Sequence, residues 1–392
     1  MVITTTPFTR HRMPVGFGPA PGPRQKADGA EWAAEETGTM RQEFLSIQFL
    51  GRPGQLERLL PPGFSLRGDP VVTVQIGFFR DLYWLAGRGY GVLHPLIPVT
   101  YTGKTETIEG NYMPVIWEGL TDAVITGRDE LGFPKLAADI PDFAVDLPNG
   151  RVSGAASWLG FEFFSAELAG LAEVRDARPA AGDPLLTFKY VPCTSPHGAG
   201  GADIAHVTTG AAPPNGSQPG AAPDRVPAYR RWAGSGTFTW NRAKFEQLPT
   251  TFHVINGLAD LDVVEYRGAA YFQAELPGHV ISGDTQRSVE PAGDLRHQEF
   301  LPAPVQLGAA PAAVVLGARG PGGPDGRRSS RGVSLPGGQR AGRAVTGGPR
   351  QEQAAAIVHA QVADGTLRPG QAAPSGVLHG IHAKKRPEDL PG

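Results

Sequence analysis

The sequence predicts a mainly β protein, an antiparallel β-barrel with a few short helices and disordered termini. Short segments rich in β-branched and aromatic residues recur along the middle of the chain with turn signals between them, which is typical of a sandwich or barrel. Segments with helical periodicity are few, and both ends are rich in Gly and Pro without any periodicity. We therefore expect a disordered tail over residues 1–38, a β-barrel domain over 39–290 and a low-complexity, disordered tail over 291–392.

The first predicted strand spans Gln42–Phe49, where apolar Leu45, Ile47 and Phe49 occupy alternate positions. This alternation is the period of a half-buried strand. The other strand candidates share β-branched or aromatic content between turn residues. They are Val71–Phe79, Tyr112–Glu118, Ala123–Thr126, Ser157–Ser165, Leu186–Val191, Ala202–Thr209, Gly236–Trp240, Phe252–Gly257 and Ala269–Glu275.

Helices are predicted in few places. Gly54–Leu60 reads as a short helix that ends at two consecutive prolines, and Asn241–Leu248 is the second candidate. Ala354–Val362 could form one transient helix in the C-terminal tail. Gly210–Pro227 has the composition of a low-complexity loop, so no regular structure is expected there.

Composition narrows the classes of function. A formal net charge of −2 favours neither nucleic acid nor an anionic membrane as a partner, and no stretch approaches the ~20 apolar residues that span a bilayer. The single cysteine excludes an intrachain disulfide and favours a reducing, cytoplasmic setting. The chain has no phosphate-binding loop, no HExxH and no CxxC motif, so we expect neither a metal nor a cofactor.

The segment Glu109–Ile140 contains the one lysine with an unusual setting. Lys135 follows Gly-Phe-Pro and precedes Leu-Ala-Ala, so its sequence neighbours are apolar. Desolvation disfavours the ammonium form of a lysine, and a neutral amine can attack a ketone or aldehyde to form an imine. From the residues alone, a surface lysine in a turn is an equally open interpretation.

The motif around Lys135 resembles that of the acetoacetate decarboxylase superfamily. In that family the Schiff-base lysine follows a Gly-Arg-Glu…(aromatic)-Pro-Lys pattern, which Gly127-Arg128-Asp129 and Phe133-Pro134-Lys135 match with Asp in place of Glu. The segment Glu43–Leu66 is similar to the family's N-terminal strand and helix, and Leu248–Ala274 is similar to the end of its barrel. The resemblance implies the family's fold, Schiff-base chemistry at Lys135 and a homo-oligomer.

The sequence departs from the decarboxylase pattern at three points. The second lysine that would follow Lys135 is replaced by Leu136, and the family's arginine falls at Gln42, with Arg41 beside it. Adjacent strand residues point to opposite faces, so Arg41 is not a simple substitute. The family's catalytic glutamate falls within Val92–His94, which contains no carboxylate.

The site expected from the motif and its surroundings has two groups of residues. The catalytic candidates are Lys135, Arg128, Glu118 and Tyr112, and the substrate-binding candidates are Phe133, Pro134 and Glu109. Alternative interpretations stay open for three of them: a solvated strand end for Glu118, a core aromatic for Tyr112, and a turn-ordering contact with Asp129 or Glu130 for Arg128.

We expect a Schiff-base enzyme that acts on a small keto acid, and the resemblance implies decarboxylation with loss of CO₂. Two alternatives remain. An aldolase-dehydratase acting on pyruvate-like keto acids is favoured by Leu136 and by the missing glutamate, and a non-catalytic barrel could bind a small acid without using Lys135.

Overall fold

The computed structural model describes residues 9–175, 182–194, 201–210, 227–277 and 286–289. All of them belong to one compact unit. The C-terminal tail and its helix, and nearly all of the low-complexity loop, are predictions that lie outside these residues.

The described residues form fifteen strands and three α-helices. The strands are Thr39–Leu50 (β1), Phe64–Leu66 (β2), Val71–Leu82 (β3), Arg88–Thr102 (β4), Thr107–Tyr112 (β5), Ile116–Glu118 (β6), Lys135–Ala137 (β7), Ala144–Asp146 (β8), Arg151–Trp158 (β9), Phe161–Glu173 (β10), Leu185–Pro192 (β11), Ala202–Gly210 (β12), Ala228–Trp240 (β13), Glu265–Pro277 (β14) and Gln286–Val289 (β15). The helices are Pro53–Leu56 (α1), Thr121–Thr126 (α2) and Phe252–Ala259 (α3).

All fifteen of these strands belong to one sheet. Its main path runs β15-β12-β11-β5-β4-β3-β1-β14-β13-β10-β9-β8, while β2 and β6 also pair with β4, and β7 pairs with β6. Neighbours are antiparallel except for β5 with β11 and β6 with β7. The mainly β, largely antiparallel fold is confirmed. The predicted closed barrel is not, because the end strands β15 and β8 do not pair within the described part of the chain.

Two groups of apolar residues pack around this sheet. The main core includes Leu45, Ile47 and Phe49, which are at most 2% exposed, as the alternation in the first strand predicts. A second apolar cluster is centred on Met113 and Ile116, and partly buried aromatic rings pack against it. The second cluster surrounds the candidate site described below.

Two segments predicted as strands are helices. Ala123–Thr126 belongs to α2, and Phe252–Gly257 belongs to α3, whose buried Ile255 and Leu258 are three residues apart, as one face of a helix requires. In both cases β-branched residues favoured a strand, and packing decided for a helix.

The helix predicted at Asn241–Leu248 is also wrong, because this segment forms turns. The side chain of Asn256 accepts a hydrogen bond from the Ala243 amide and donates one to the Ala243 carbonyl, at 2.9 and 3.0 Å. These contacts use the backbone groups that a helix would have paired internally.

The boundaries of two predicted strands also differ. Tyr112–Glu118 is divided between β5 and β6, and Ser157–Ser165 contains the turn between β9 and β10. The long strand β4 was not predicted, because its two prolines and four polar residues obscure the pattern.

The segment predicted as a disordered N-terminal tail has defined contacts from residue 9 onward. Arg12 forms an ion pair with Glu130, and the Tyr83 hydroxyl donates a hydrogen bond of 2.9 Å to the carbonyl of Pro23. These contacts correct the predicted tail for residues 9–38, which lie against the domain. Residues 1–8 lie outside the described part.

Candidate active site

The two short parallel strands β6 and β7 bring Lys135 and Glu118 to the same face of the sheet. In their register Lys135 lies opposite Ile116, and Glu118 follows Ile116 by two residues, so the three side chains share one face. The Lys135 Nζ lies 2.7 Å from the Glu118 Oε1 and donates to the Ala123 carbonyl at 3.1 Å. Lys135 is 6% exposed and Glu118 is 2% exposed. The structure thus contains a buried amine and carboxylate in direct contact.

Gly127 makes room for the lysine side chain. A Cβ at this position would lie 2.1 Å from the Lys135 Cε and 2.4 Å from its Nζ, which is closer than any real contact. The backbone angles of Gly127 are helical, at φ −67° and ψ −38°, so any residue could adopt them. Glycine is therefore required here by space and not by conformation.

The turn between α2 and β7 is fixed by backbone contacts. Gly127–Leu131 forms one π-helical turn, Gly132 adopts a φ of +81°, and the Phe133 amide donates to the Gly127 carbonyl at 3.1 Å. The guanidinium of Arg128 donates to the Lys135 carbonyl at 2.9 Å. Arg128 therefore orders the turn through that carbonyl, and not through Asp129 or Glu130 as one interpretation of the sequence expected.

The pair lies in the wall of a cavity of about 390 Å³. The apolar part of the wall includes Phe44, Phe79, Trp84, Tyr90, Met113 and Phe133. The polar part includes Gln42, Gln75, His94, Thr126, Glu118 and Lys135. A concave, mostly apolar cavity with a few polar groups is the usual form of a small-molecule site.

Burial dominates the electrostatics of Glu118. Desolvation raises the pKa of its carboxyl above the ordinary value, and the nearby Lys135 offsets part of that increase. Its Oε2 has no hydrogen-bond partner among the described residues. A carboxyl whose proton is held more tightly than usual, in contact with an amine, can both accept and return a proton.

His94 is the second titratable group of the cavity wall. Burial lowers its pKa to about 4, so the imidazole is neutral near pH 7. Its Nε2 lies 3.1 Å from the Gln75 Oε1, an atom that accepts hydrogen bonds, so Nε2 carries the proton and Nδ1 is left as an acceptor. This Nδ1 is buried without a partner in the described part of the chain.

The structure brings together only some of the residues expected from the sequence. Lys135, Glu118 and Phe133 line the cavity, and the Lys135 Nζ lies 5.4 Å from the centre of the Phe133 ring. Pro134 does not line it, although its carbonyl accepts the Ile116 amide at 3.1 Å and so joins β7 to β6.

Two candidates lie elsewhere. Tyr112 packs in the main core, where its ring centre is 4.9 Å from that of Phe64, so the core-aromatic interpretation is the correct one. The Glu109 side chain is 65% exposed and lies 3.6 Å from Arg67. Neither residue lines the cavity, and we correct both assignments.

The departures from the decarboxylase pattern have clear positions. Gln42 lines the cavity, whereas the neighbouring Arg41 forms an ion pair with Asp81. Leu136 packs with Trp117 in the main core, on the face of β7 opposite to Lys135. Position 136 therefore does not face the amine.

Several wall residues were missed because β4 was not predicted. Tyr90, Val92, His94 and Leu96 are alternate residues of that strand, and all four line the cavity. Their period of two is the signal that could have identified them. Val92 lies opposite Glu118 in the β4–β6 register, which places this row beside the reactive pair.

Two further searches concern the described residues alone. They contain no cluster of three or more His, Cys, Asp or Glu side chains that could hold a metal ion. None of their helices is both long enough and apolar enough to cross a membrane.

Comparison with solved structures finds three similar enzymes. An acetoacetate decarboxylase from Legionella pneumophila is 17% identical with a TM-score of 0.46, over 64% of this chain and 88% of that one. The enduracididine biosynthesis enzyme MppR, complexed with the condensation product of pyruvate and imidazole 4-carboxaldehyde, is 16% identical with a TM-score of 0.45, over 64% and 88%. An acetoacetate decarboxylase-like enzyme from Sphingomonas wittichii is 18% identical with a TM-score of 0.45, over 65% and 93%.

Comparison with sequences gives the family. No curated protein sequence matches this chain. The family model described as acetoacetate decarboxylase matches residues 19–286, which is more than half of the 392 residues and includes the whole segment around Lys135. On this match, the chain belongs to the acetoacetate decarboxylase family.

Proposed function

We propose that this chain is a Schiff-base-forming enzyme that acts on a small keto acid, with Lys135 as the nucleophile. The observation that carries the proposal is the buried contact of 2.7 Å between the Lys135 Nζ and the Glu118 Oε1 at the cavity wall. An amine next to a group that can take its proton is the arrangement that activates a lysine for attack on a carbonyl.

In the first step Glu118 accepts a proton from the Lys135 ammonium. The raised pKa of the buried carboxyl makes this transfer easier than it would be to an exposed carboxylate. The neutral Nζ then attacks the carbonyl carbon of the keto acid, and the resulting carbinolamine loses water to give a protonated imine. Glu118 can return its proton to the departing oxygen.

For a β-keto acid, the protonated imine accepts the electrons of the bond to the carboxylate. That bond breaks, CO₂ leaves, and an enamine forms on Lys135. Protonation of the enamine carbon and hydrolysis of the imine then release the ketone and restore the amine. This sequence gives the decarboxylase reaction that the family is named for.

A second reaction is favoured by the composition of the cavity wall. The wall contains no arginine within the described part of the chain, Lys135 is its one lysine, and position 136 faces the main core. The groups expected for acetoacetate decarboxylation are therefore not assembled. The enamine of a pyruvate-like donor can instead attack an aldehyde, and loss of water from the product gives an enone.

Product analysis separates these reactions. The protein is incubated with acetoacetate alone, or with pyruvate and an aldehyde, and the products are measured as acetone and CO₂ or as the absorbance of an enone. We expect one of the two products, and none from Lys135→Met, in which an apolar chain of similar length replaces the amine.

The exposed Lys244 provides the control, because Lys244→Met should retain full activity. Equal turnover by Lys135→Met and the wild type would contradict the proposal. If the folded wild type turned over neither substrate but bound small acids in the cavity, the non-catalytic binding protein would be the correct interpretation.

A further inference from the structure

A continuous row of aromatic rings lines the cavity beside the reactive pair. The ring centres of Phe44 and Phe79 are 5.4 Å apart, those of Phe79 and Tyr90 are 5.6 Å apart, and those of Tyr90 and Trp84 are 6.5 Å apart. All four side chains line the cavity. We refer to Phe44, Phe79, Tyr90 and Trp84 as the aromatic row.

The row reaches the reactive pair at Tyr90. The charge of Glu118 is one of the causes that hold the Tyr90 pKa above its ordinary value, after burial itself, so the two side chains are neighbours. In the sheet, Tyr90 precedes Val92 by two residues on the same face, and Val92 lies opposite Glu118. A group attached to a carbonyl at Lys135 would therefore extend along these rings.

The cavity is also too large for a keto acid of three or four carbons. Its volume is about 390 Å³, whereas a cavity of about 150 Å³ with apolar walls is large enough to hold benzene. Phe44, Phe79 and Trp84 are only partly buried, so part of their apolar surface remains available for a ligand to cover. Covering that surface would favour binding in proportion to the apolar area removed from water.

We propose that the carbonyl compound that reaches Lys135 carries an aromatic substituent, and that this substituent packs against the aromatic row. This inference rests on the proposed function for the carbonyl, but the binding of the ring can be tested separately. Aromatic pairs prefer edge-to-face or offset contacts with centres 4.5–7 Å apart, the range in which the rings of the row already lie. A ring fills such a site better than a flexible alkyl chain, which loses rotamer freedom on binding.

The test uses ligands that cannot form an imine. Lactate, 2-hydroxyhexanoate and 3-phenyllactate share the hydroxy-acid end and differ in the attached group, and their binding to the full chain is measured by calorimetry. We expect phenyllactate to bind on the order of 10- to 100-fold more tightly than lactate, and more tightly than 2-hydroxyhexanoate. Equal affinities for lactate and phenyllactate, no binding of phenyllactate, or equal affinities for the hexanoate and phenyl compounds would each overturn the inference.

Variants locate the binding of the ring. Phe79→Ala, or Trp84→Leu if the first does not fold, should weaken phenyllactate binding by about 3- to 10-fold and leave lactate unchanged. Phe245→Ala is the matched control, because Phe245 is 62% exposed and does not line the cavity. An unchanged phenyllactate affinity in both cavity variants would contradict the assigned position. Tight phenyllactate binding without any imine from phenylpyruvate or pyruvate would instead contradict the proposed function alone.

Discussion

Gly127→Ala tests the placement of the reactive lysine most specifically. The added Cβ would lie 2.1 Å from the Lys135 Cε, whereas ordinary contacts begin near 3.4 Å, so the lysine side chain must move by about 1 Å or more. The Nζ would then leave its position 2.7 Å from Glu118. A misplacement of about 1 Å can cost ~10²-fold in rate, and we expect that loss in the rate of imine formation.

The effect on stability should be small by comparison. The helical angles of Gly127 suit alanine, which gains about 0.5–1 kcal/mol in a helix, while crowding against Lys135 costs roughly 1–3 kcal/mol. The two effects largely offset each other, so the variant should remain folded.

The assay measures the rate of borohydride-trapped adduct and the free energy of unfolding on the same preparations. Gly257→Ala is the matched control, because Gly257 lies in α3 with nothing within 4 Å of an added Cβ. The control should react at the wild-type rate. An unchanged rate in folded Gly127→Ala would refute the contact between Gly127 and the reacting amine.

Three further variants test neighbouring parts of the account. Glu118→Gln should lower turnover by about 10²-fold while borohydride still labels Lys135, because the proton carrier is lost and the nucleophile is kept; an unchanged kcat would contradict that role. Burial lowers the pKa of His94 from 6.5 to about 4, so its contribution to stability is present above pH 6.5 and is lost as the pH falls toward 4. It amounts to about 3 kcal/mol, and urea unfolding of His94→Phe should lack this part of the acid loss. Leu136→Lys should destabilise the fold by about 3–5 kcal/mol, because it buries an unpaired ammonium in the main core; a stable variant with faster acetone release would show that position 136 faces the amine.

The reactive lysine could be predicted from the sequence because its motif is contiguous. Its partner could not be assigned in the same way, since the contact of Glu118 with Lys135 depends on the parallel register of β6 and β7. No local pattern encodes that register, so Glu118 stayed one candidate among several. Tyr112 was misassigned for the same reason, because its distance along the chain from the motif did not reveal that it packs in the main core.

Local propensity also failed where packing outweighs it. The β-branched residues of Ala123–Thr126 favour a strand, yet the helix α2 directs the Ala123 carbonyl to the lysine and places Gly127 beneath it. A strand there would provide neither contact. The site therefore lies where the local sequence preference and the fold disagree, which is common at functional positions.

The most direct test of the central claim is to trap the imine and locate it. The protein is incubated with acetoacetate or with pyruvate, reduced with borohydride, digested and analysed by mass, so that the modified lysine is identified. We predict an adduct on Lys135 and none on Lys189, a lysine partly buried in β11 that serves as the internal control. An adduct on Lys189 instead, or no adduct on Lys135 with any small keto acid, would contradict the account.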